Sequence, residues 1–188
     1  DVLSFSAAIS ACEKCGQWAR ALSLLSGMRR EGVTPNQISY NAAISACDKG
    51  GHWVQAMSLI DQMYDVAIKP DVVTFNGAVS ACGKAGHWEG ALSLFNQMRE
   101  AGVSTNVMSF STALSACKRG GGWQAALPLL VEMRDAAITM DRMCFTAGIS
   151  VHAEGGHWER AISLLAKMQT SVLTPDLYTY SATISACE

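Results

Sequence analysis

The sequence predicts an all-α solenoid built from helix–turn–helix repeats of 35 residues. Two observations predict this fold class. Tryptophan recurs at one fixed interval, at Trp18, Trp53, Trp88, Trp123 and Trp158. Cysteine keeps the same interval, with His152 in one slot, at Cys12, Cys47, Cys82, Cys117 and Cys187. A strict register without insertions is typical of one supersecondary unit stacked on copies of itself.

Every one of the 188 residues can be assigned to such units, whole or partial. Residue 1 ends a preceding unit, and the complete units are 2–36, 37–71, 72–106, 107–141 and 142–176. Residues 177–188 supply the first helix of another unit. We therefore interpret the chain as one repeat array and as a fragment of a longer protein. Five complete units exceed the roughly three that a stable stack needs.

Each unit is predicted to contain two helices. Apolar residues of the first unit recur at helical spacing, at Phe5, Ala8, Ile9 and Cys12. Gly16 ends this first helix, a second apolar stripe begins at Trp18, and Gly32 ends the second helix. The tryptophans are expected to wedge against the first helix. Pro128 falls inside the second helix of the fourth unit, where we expect distortion of the helix but not its loss.

Composition excludes several classes of protein. The formal net charge is −2, so any basic surface must be local. The cysteines follow the repeat period, which indicates small buried hydrophobic residues in a reducing compartment and not a disulfide framework. Cys12 and Cys15 form a lone C-x-x-C without the second ligand pair that a zinc site needs. Because no catalytic dyad, phosphate-binding loop or membrane-spanning apolar run is present, we predict no enzymatic activity, no cofactor, no bound metal and no membrane partner.

The informative residues lie on the other side of the first helix. Counting the first residue of each unit as position 1, position 5 is small and polar throughout: Ser6, Asn41, Asn76, Ser111, Thr146 and Ser181. Position 35 is always Asn or Asp: Asn36, Asp71, Asn106, Asp141 and Asp176. Position 2 is apolar or aromatic: Leu3, Ile38, Val73, Met108, Met143 and Tyr178. Position 13 is basic at Lys14, Lys49, Lys84 and Arg119, and becomes Glu154 in the fifth unit.

This combination suits a single strand of nucleic acid. The apolar residues would stack on bases, the polar pairs would read base edges, and the cations would neutralise phosphates. The alternative from the residues alone is a solvated polar face in which Asn, Asp and Ser serve as ordinary helix N-caps. Both interpretations remain open at this point.

The units resemble the pentatricopeptide repeat family. The stretches QISYNAAISACDKGGHWVQAMSLIDQMYDVAIKPD (37–71) and VVTFNGAVSACGKAGHWEGALSLFNQMREAGVSTN (72–106) match its repeat pattern from end to end. The resemblance implies a right-handed superhelical α-solenoid that binds single-stranded RNA with one base per repeat. It also implies that positions 5 and 35 select the base and that position 2 of adjacent repeats sandwiches it.

Carried over to this sequence, the resemblance implies a target. Ser6 with Asn36 resembles the adenine pair, and Asn41 with Asp71 the uracil pair. Asn76 with Asn106 resembles a pyrimidine pair that leans to cytosine. Ser111 with Asp141 and Thr146 with Asp176 both resemble guanine pairs. The implied core is 5′-A-U-(C/U)-G-G-3′.

The resemblance also implies location and role. Such a protein would act in a chloroplast or mitochondrion, in RNA processing, stability, editing or translation, with other RNA-processing proteins as further partners. Two alternatives stay open: a protein-interaction scaffold that uses the same surface, and the targeting module of a larger enzyme. Glu154 departs from the cationic pattern, and Arg142 beside Met143 is a candidate to compensate for it.

Overall fold

The computed structural model describes residues 1–187, so Glu188, the last residue of the predicted partial unit, lies outside the described part. This part of the chain folds into eleven α-helices and contains no strand. The first helices of the units are α1 (Val2–Lys14), α3 (Gln37–Gly50), α5 (Val72–Lys84), α7 (Val107–Gly120), α9 (Arg142–Glu154) and α11 (Leu177–Ser185). The second helices are α2 (Trp18–Arg30), α4 (Trp53–Asp65), α6 (Trp88–Glu100), α8 (Trp123–Asp135) and α10 (Trp158–Thr170). The all-α helix–turn–helix prediction is therefore confirmed.

Each first helix begins with a side-chain N-cap. The capping residues are Asp1, Asn36, Asp71, Asn106, Asp141 and Asp176. In every case the side-chain oxygen accepts a hydrogen bond from the backbone N–H three residues later. Such a cap satisfies one of the free N–H groups of the first turn. Position 35 therefore has a structural role in every unit.

The turns between helices use left-handed backbone. Gly51, at the end of α3, has φ of 67°, as the glycine pattern predicts. The same conformation ends the second helices, where Gly32 has φ of 70° but Val172 has φ of 59°. A β-branched residue is strained there. Pro128 lies within α8, which continues through it from Trp123 to Asp135, so the helix is retained as predicted.

The chain separates into two compact units, Asp1–Ser104 and Thr105–Glu188. In the first, α3 packs against both α1 and α5, and the second helices α2 and α4 pack against the first helix of the next repeat. The core is built from large buried side chains, including Tyr40, Phe75 and Phe95. Small residues such as Ala43 and Ala78 are fully buried, which allows the first helices to approach closely.

The second compact unit repeats this arrangement with α9 between α7 and α11. Its core includes Phe110, Leu114 and Ile149. The slot that holds Cys117 in α7 holds His152 in α9, and both side chains are buried. Burial raises the pKa of the Cys117 thiol to about 11, so it behaves as the small apolar residue that the sequence predicts. In the part of the chain described, no helix is both long and apolar enough to cross a bilayer.

Candidate nucleic-acid interface

The residues at position 2 form exposed apolar surfaces at the starts of the first helices. Their side chains are between 53% and 80% exposed, although all are large and hydrophobic: Leu3, Ile38, Val73, Met108, Met143 and Tyr178. A planar base can stack on such a surface. The structure therefore places all six predicted stacking residues where a ligand can reach them.

The predicted base-reading pairs of the first compact unit are joined by a third side chain. The Ser39 hydroxyl donates to Oδ1 of Asn36 over 2.9 Å and lies 2.9 Å from the Ser6 hydroxyl. In the next repeat, the Thr74 hydroxyl lies 2.6 Å from Oδ1 of Asn41 and 2.8 Å from Oδ1 of Asp71. In these two repeats, the residue at position 3 of the following unit joins positions 5 and 35, and we call this position the bridging position and its residue the bridging residue.

The Asn41–Asp71 pair is also in direct contact. The Asn41 amide nitrogen lies 3.3 Å and 3.4 Å from the two carboxylate oxygens of Asp71. Partial burial by itself would raise the pKa of Asp71, but hydrogen bonds from Thr74 and Asn41 outweigh it and hold this pKa below its ordinary value. Asp71 is therefore ionised at neutral pH and offers only acceptors to a ligand.

The last pair of the second compact unit has the same bridged geometry. The Thr179 hydroxyl donates to Oδ1 of Asp176 over 2.7 Å and lies 3.2 Å from the Thr146 hydroxyl. Hydrogen bonds from the Thr179 hydroxyl and backbone N–H lower the pKa of Asp176. This pair has the donors and acceptors that an N–H-bearing base edge requires.

The Ser111–Asp141 pair lacks the bridge. Its bridging position holds Cys144, whose thiol points to the Val107 carbonyl at 3.9 Å. The Ser111 side chain is fully buried, and among the described residues its hydroxyl has no nitrogen or oxygen partner at hydrogen-bond distance, although the Cys144 thiol lies near it. Asp141 keeps its capping bond to the Cys144 N–H at 2.7 Å. Ser111 is thus the one predicted base-reading residue of this compact unit that solvent does not reach.

Asn76 and Asn106, the remaining pair, belong to different compact units. Asn76 is half-buried on α5. Asn106 is exposed and caps α7, where the Ser109 hydroxyl donates to its Oδ1 over 3.1 Å.

The predicted phosphate-contacting lysines of the first compact unit are partly engaged. Lys84 forms a 2.9 Å ion pair with Asp48 of the preceding repeat. Lys49 donates to the Glu13 carbonyl over 2.8 Å. Lys14 is exposed near the end of α1. RNA would have to displace the ion pair at Lys84 before that lysine could neutralise a phosphate.

Cations converge differently in the second compact unit. A concave site of about 240 Å³ on the first helices is lined by Lys118, Arg119, Arg142, Met143 and Asp176, together with Thr146. Arg142 also donates to the Thr174 hydroxyl over 3.0 Å. Three cations therefore surround the site of the fifth repeat, although its own position 13 is Glu154. The placement of Arg142 agrees with its proposed compensating role.

Lys118 has a further contact that the sequence did not predict. Its ammonium nitrogen lies 3.9 Å from the centroid of the Tyr178 ring, in cation–π geometry. It therefore covers one face of a predicted stacking residue. Lys118 also partly opposes the rise in the pKa of Glu154, which is caused mainly by burial.

Two recurring features escaped the sequence analysis. The bridging residues were not recognised, although Ser or Thr at Ser39, Thr74, Ser109 and Thr179 was a visible signal. Trp18 and Trp53 also contact the histidine of the following repeat with tilted rings, whose centroids lie 4.0 Å apart for Trp18–His52 and 4.3 Å apart for Trp53–His87. Trp123 meets His157 edge-on, with centroids 6.1 Å apart. The tryptophans thus help to join successive repeats, a contact beyond the expected wedge against the first helix.

Sequence profiles decide the family. The profile described as PPR repeat family matches residues 1–49, 35–84 and 70–119, and the profile described as pentatricopeptide repeat domain matches residues 128–188. The chain belongs to the pentatricopeptide repeat family. Comparison with curated proteins gave no significant match.

Solved structures share this pentatricopeptide repeat fold. The crystal structure of the pentatricopeptide repeat protein PPR10 from maize aligns with 99% of this chain at 26% identity and a TM-score of 0.78. The PPR domain of Arabidopsis thaliana protein-only RNase P 1, crystallised with tRNA, aligns over 99% of this chain and 98% of its own length, with a TM-score of 0.84 at 19% identity. This chain spans only 27% of maize PPR10.

Proposed function

We propose that this pentatricopeptide repeat array binds single-stranded RNA and reads one base per repeat. The observation that carries the proposal is the bridged pair of Asn41 and Asp71, fixed by Thr74 beside the exposed side chains of Ile38 and Val73. A fixed acceptor and amide next to an apolar surface provide base-edge recognition and stacking together. A helix cap accounts for the bond between Asp71 and Thr74, but the contacts of Asn41 with both residues go beyond that cap.

The relatives support the ligand class. Maize PPR10 was crystallised in complex with an RNA element from psaJ, and the Arabidopsis domain with tRNA. We extend RNA binding to this chain because it shares their family and fold and carries its own polar pairs and stacking residues. Action in an organelle, in RNA processing, stability, editing or translation, is part of the same proposal, as is contact with other RNA-processing proteins.

The proposed target core is 5′-A-U-(C/U)-G-G-3′. An ionised Asp at position 35 accepts hydrogen bonds, so it favours uracil and guanine, which present an N–H on their pairing edge. Asn at position 35 can also donate, which suits the acceptor atoms of adenine and cytosine. Ser6 with Asn36, Asn41 with Asp71, and Asn76 with Asn106 would read the first three bases. Ser111 with Asp141 and Thr146 with Asp176 would read the two guanines.

A binding assay tests this proposal. Fluorescence anisotropy would compare RNA containing AUCGG with RNA containing the same five bases in another order, at physiological ionic strength. We expect roughly tenfold tighter binding of AUCGG, because each stacked and paired base contributes about 1–3 kcal/mol before ordering costs. Equal binding of the two RNAs would contradict base reading, and absence of binding would contradict the ligand class.

A double substitution tests the assignment of a single base. Asn41→Ser with Asp71→Asn recreates the Ser6–Asn36 combination, so the second base should change from uracil to adenine. The matched control replaces the same residue types at exposed sites on second helices, Asn96→Ser with Asp61→Asn. An unchanged preference for uracil in the first variant would show that these positions do not select the base.

A further inference from the structure

A second concave region lies on the other side of the second compact unit, between α8 and α10. It is an open cavity of about 880 Å³, and its floor is formed by Phe145 and His152 of α9. Leu127, Leu130 and Leu164 contribute apolar walls. Cavities of about 300–1,000 Å³ with mostly apolar lining are the usual size for small-molecule sites. The RNA-reading residues of α9 play no part in it.

The junction over Phe145 differs from the Arg29–Tyr40 junction of the first compact unit. There the Arg29 guanidinium donates to the Tyr40 hydroxyl across the groove between a second helix and the next first helix. At the junction of α8 and α9 the tyrosine slot holds Phe145, which, like Phe75, has no hydroxyl. The next junction of the second compact unit regains such a bond, from Gln169 to the Tyr180 hydroxyl over 3.3 Å. Arg134, at the slot of Arg29, instead pairs with its neighbour Asp135 at 2.9 Å. The polar bond that crosses the groove at Tyr40 is therefore missing at Phe145.

The charges at the rim identify the kind of ligand. Arg160 and Lys167 of α10 line the cavity, and Arg134 lies at the opposite wall beside Asp135. Among the described lining residues there is no carboxylate. Arg160 and Lys167 are seven residues apart and therefore lie on one face of α10, about 10 Å apart. An apolar trough with cations along one edge is complementary to an anion that has a long apolar body.

We propose that this cavity binds a long-chain carboxylate. The chain lies along the leucines between α8 and α10 and covers Phe145, and the carboxylate pairs with Arg160 or Lys167. Burial of the apolar chain supplies most of the affinity, at roughly 25 cal/mol per Å² removed from water. The cation selects an anionic head over a neutral or cationic one. This site is independent of the proposed RNA contacts.

Calorimetry with dodecanoate tests the site directly. We expect one molecule bound per chain, and at least tenfold weaker binding of dodecyltrimethylammonium, which has the same chain and the opposite charge. Hexanoate should bind at least tenfold more weakly than dodecanoate, because it buries less apolar surface. Equal affinity for the cationic analogue, or no binding of dodecanoate to the folded protein, would overturn the proposal.

Variants locate the bound molecule. Arg160→Gln or Lys167→Gln should weaken dodecanoate binding at least threefold, whichever cation holds the head. Arg30→Gln, the same change at an exposed site of α2, should have no effect. Phe145→Tyr restores the hydroxyl that Arg29 uses in the first compact unit and should weaken binding at least fivefold by closing the groove. Circular dichroism establishes whether the Phe145→Tyr variant is folded. If it is not, Arg160→Gln and Lys167→Gln still decide whether dodecanoate binds in this cavity.

RNA provides the last control. Because the cavity is lined by second helices and the core face of α9, saturating RNA should leave the dodecanoate affinity unchanged. Competition between RNA and dodecanoate would place the carboxylate on the basic residues of the first helices and would overturn the proposal. Unaltered dodecanoate affinity in both rim variants would also overturn the proposal, because neither Arg160 nor Lys167 would then hold the carboxylate.

Discussion

The two compact units have the same net charge but place their charges differently. Residues 1–104 contain eight basic and nine acidic side chains, and residues 105–188 contain six and seven, so each unit has a formal net charge of −1. In the first, Lys84 is paired with Asp48. In the second, Lys118, Arg119 and Arg142 line one concave site. Local placement, and not total charge, therefore decides where a phosphate would be attracted.

The same comparison extends to the core and to the bridging residues. The first unit has Cys47 and Cys82 at the buried slot and hydroxyls at both Ser39 and Thr74. The second has His152 at the buried slot of α9 and a thiol at Cys144. The two compact units share one repeat pattern but differ in which of their buried polar groups have hydrogen-bond partners. We expect these differences to have measurable energetic consequences, the largest at His152 and the smallest at Lys84.

The largest effect concerns acid stability of the second unit. Burial, with smaller contributions from Arg160 and His157, lowers the pKa of His152 to about 4 from the ordinary value of 6.5. The unfolded chain therefore binds a proton between these values and the folded chain does not. Stability is fully present above about pH 6.5 and falls by up to about 3 kcal/mol as the pH drops to 4. Chemical denaturation across this range measures it.

The control for this prediction is His152→Cys, which gives the slot the residue of the first unit. It should reduce the loss of unfolding free energy between pH 7 and pH 4. An identical pH profile in the variant would mean that His152 is protonated in the folded state.

The second prediction breaks a bridge in the first unit. Thr74→Ala should lower the unfolding free energy by about 1–2 kcal/mol, because Asn41 and Asp71 lose a buried hydrogen-bond partner. It should also raise the pKa of Asp71 towards its ordinary value and reduce selectivity for uracil. NMR titration and RNA binding would measure these effects. Thr74→Ser keeps the hydroxyl and should restore all three properties, and failure to do so would indicate a packing role.

The third prediction builds the missing bridge in the second unit. Cys144→Ser places a hydroxyl between Ser111 and Asp141, where Ser111 now has no nitrogen or oxygen partner in the described part of the chain. Stability should increase by about 1 kcal/mol, and selectivity for guanine at the fourth base should rise. Thermal unfolding and anisotropy provide the measurements. A loss of stability would show that the apolar character of the thiol matters more than hydrogen bonding at this slot.

The smallest effect concerns the lysine ion pair. Asp48→Asn should release Lys84 and tighten RNA binding about two- to threefold at low salt, since an exposed pair contributes only about 0–1 kcal/mol. The advantage should disappear at high salt. Asp61→Asn, at an exposed site of α4, serves as the control. The idea fails if both variants bind RNA with equal affinity.

The sequence by itself determined the helices, their order and the exposed apolar surfaces at position 2. Periodic apolar residues predict helices directly, and a fixed interval places equivalent residues such as Ile38 and Val73 at equivalent points. Left-handed turns at Gly51 and retention of α8 around Pro128 also followed from local chemistry. Each of these features depends on residues that are close together within one repeat, so their spacing in the sequence is enough to predict it.

Tertiary structure alone decided which polar groups meet. The bond between Thr74 and Asn41 joins residues 33 apart, and the ring contact of Lys118 with Tyr178 crosses an entire repeat. Burial of Ser111 and the cavity over Phe145 likewise arise where neighbouring repeats pack. Periodicity assigns each residue to a repeat position. The effect of a substitution at that position, such as Cys144 for threonine or Phe145 for tyrosine, depends on the side chain that it meets in the neighbouring repeat. Interactions of that kind depend on distances between helices, which the spacing of residues along the chain does not specify.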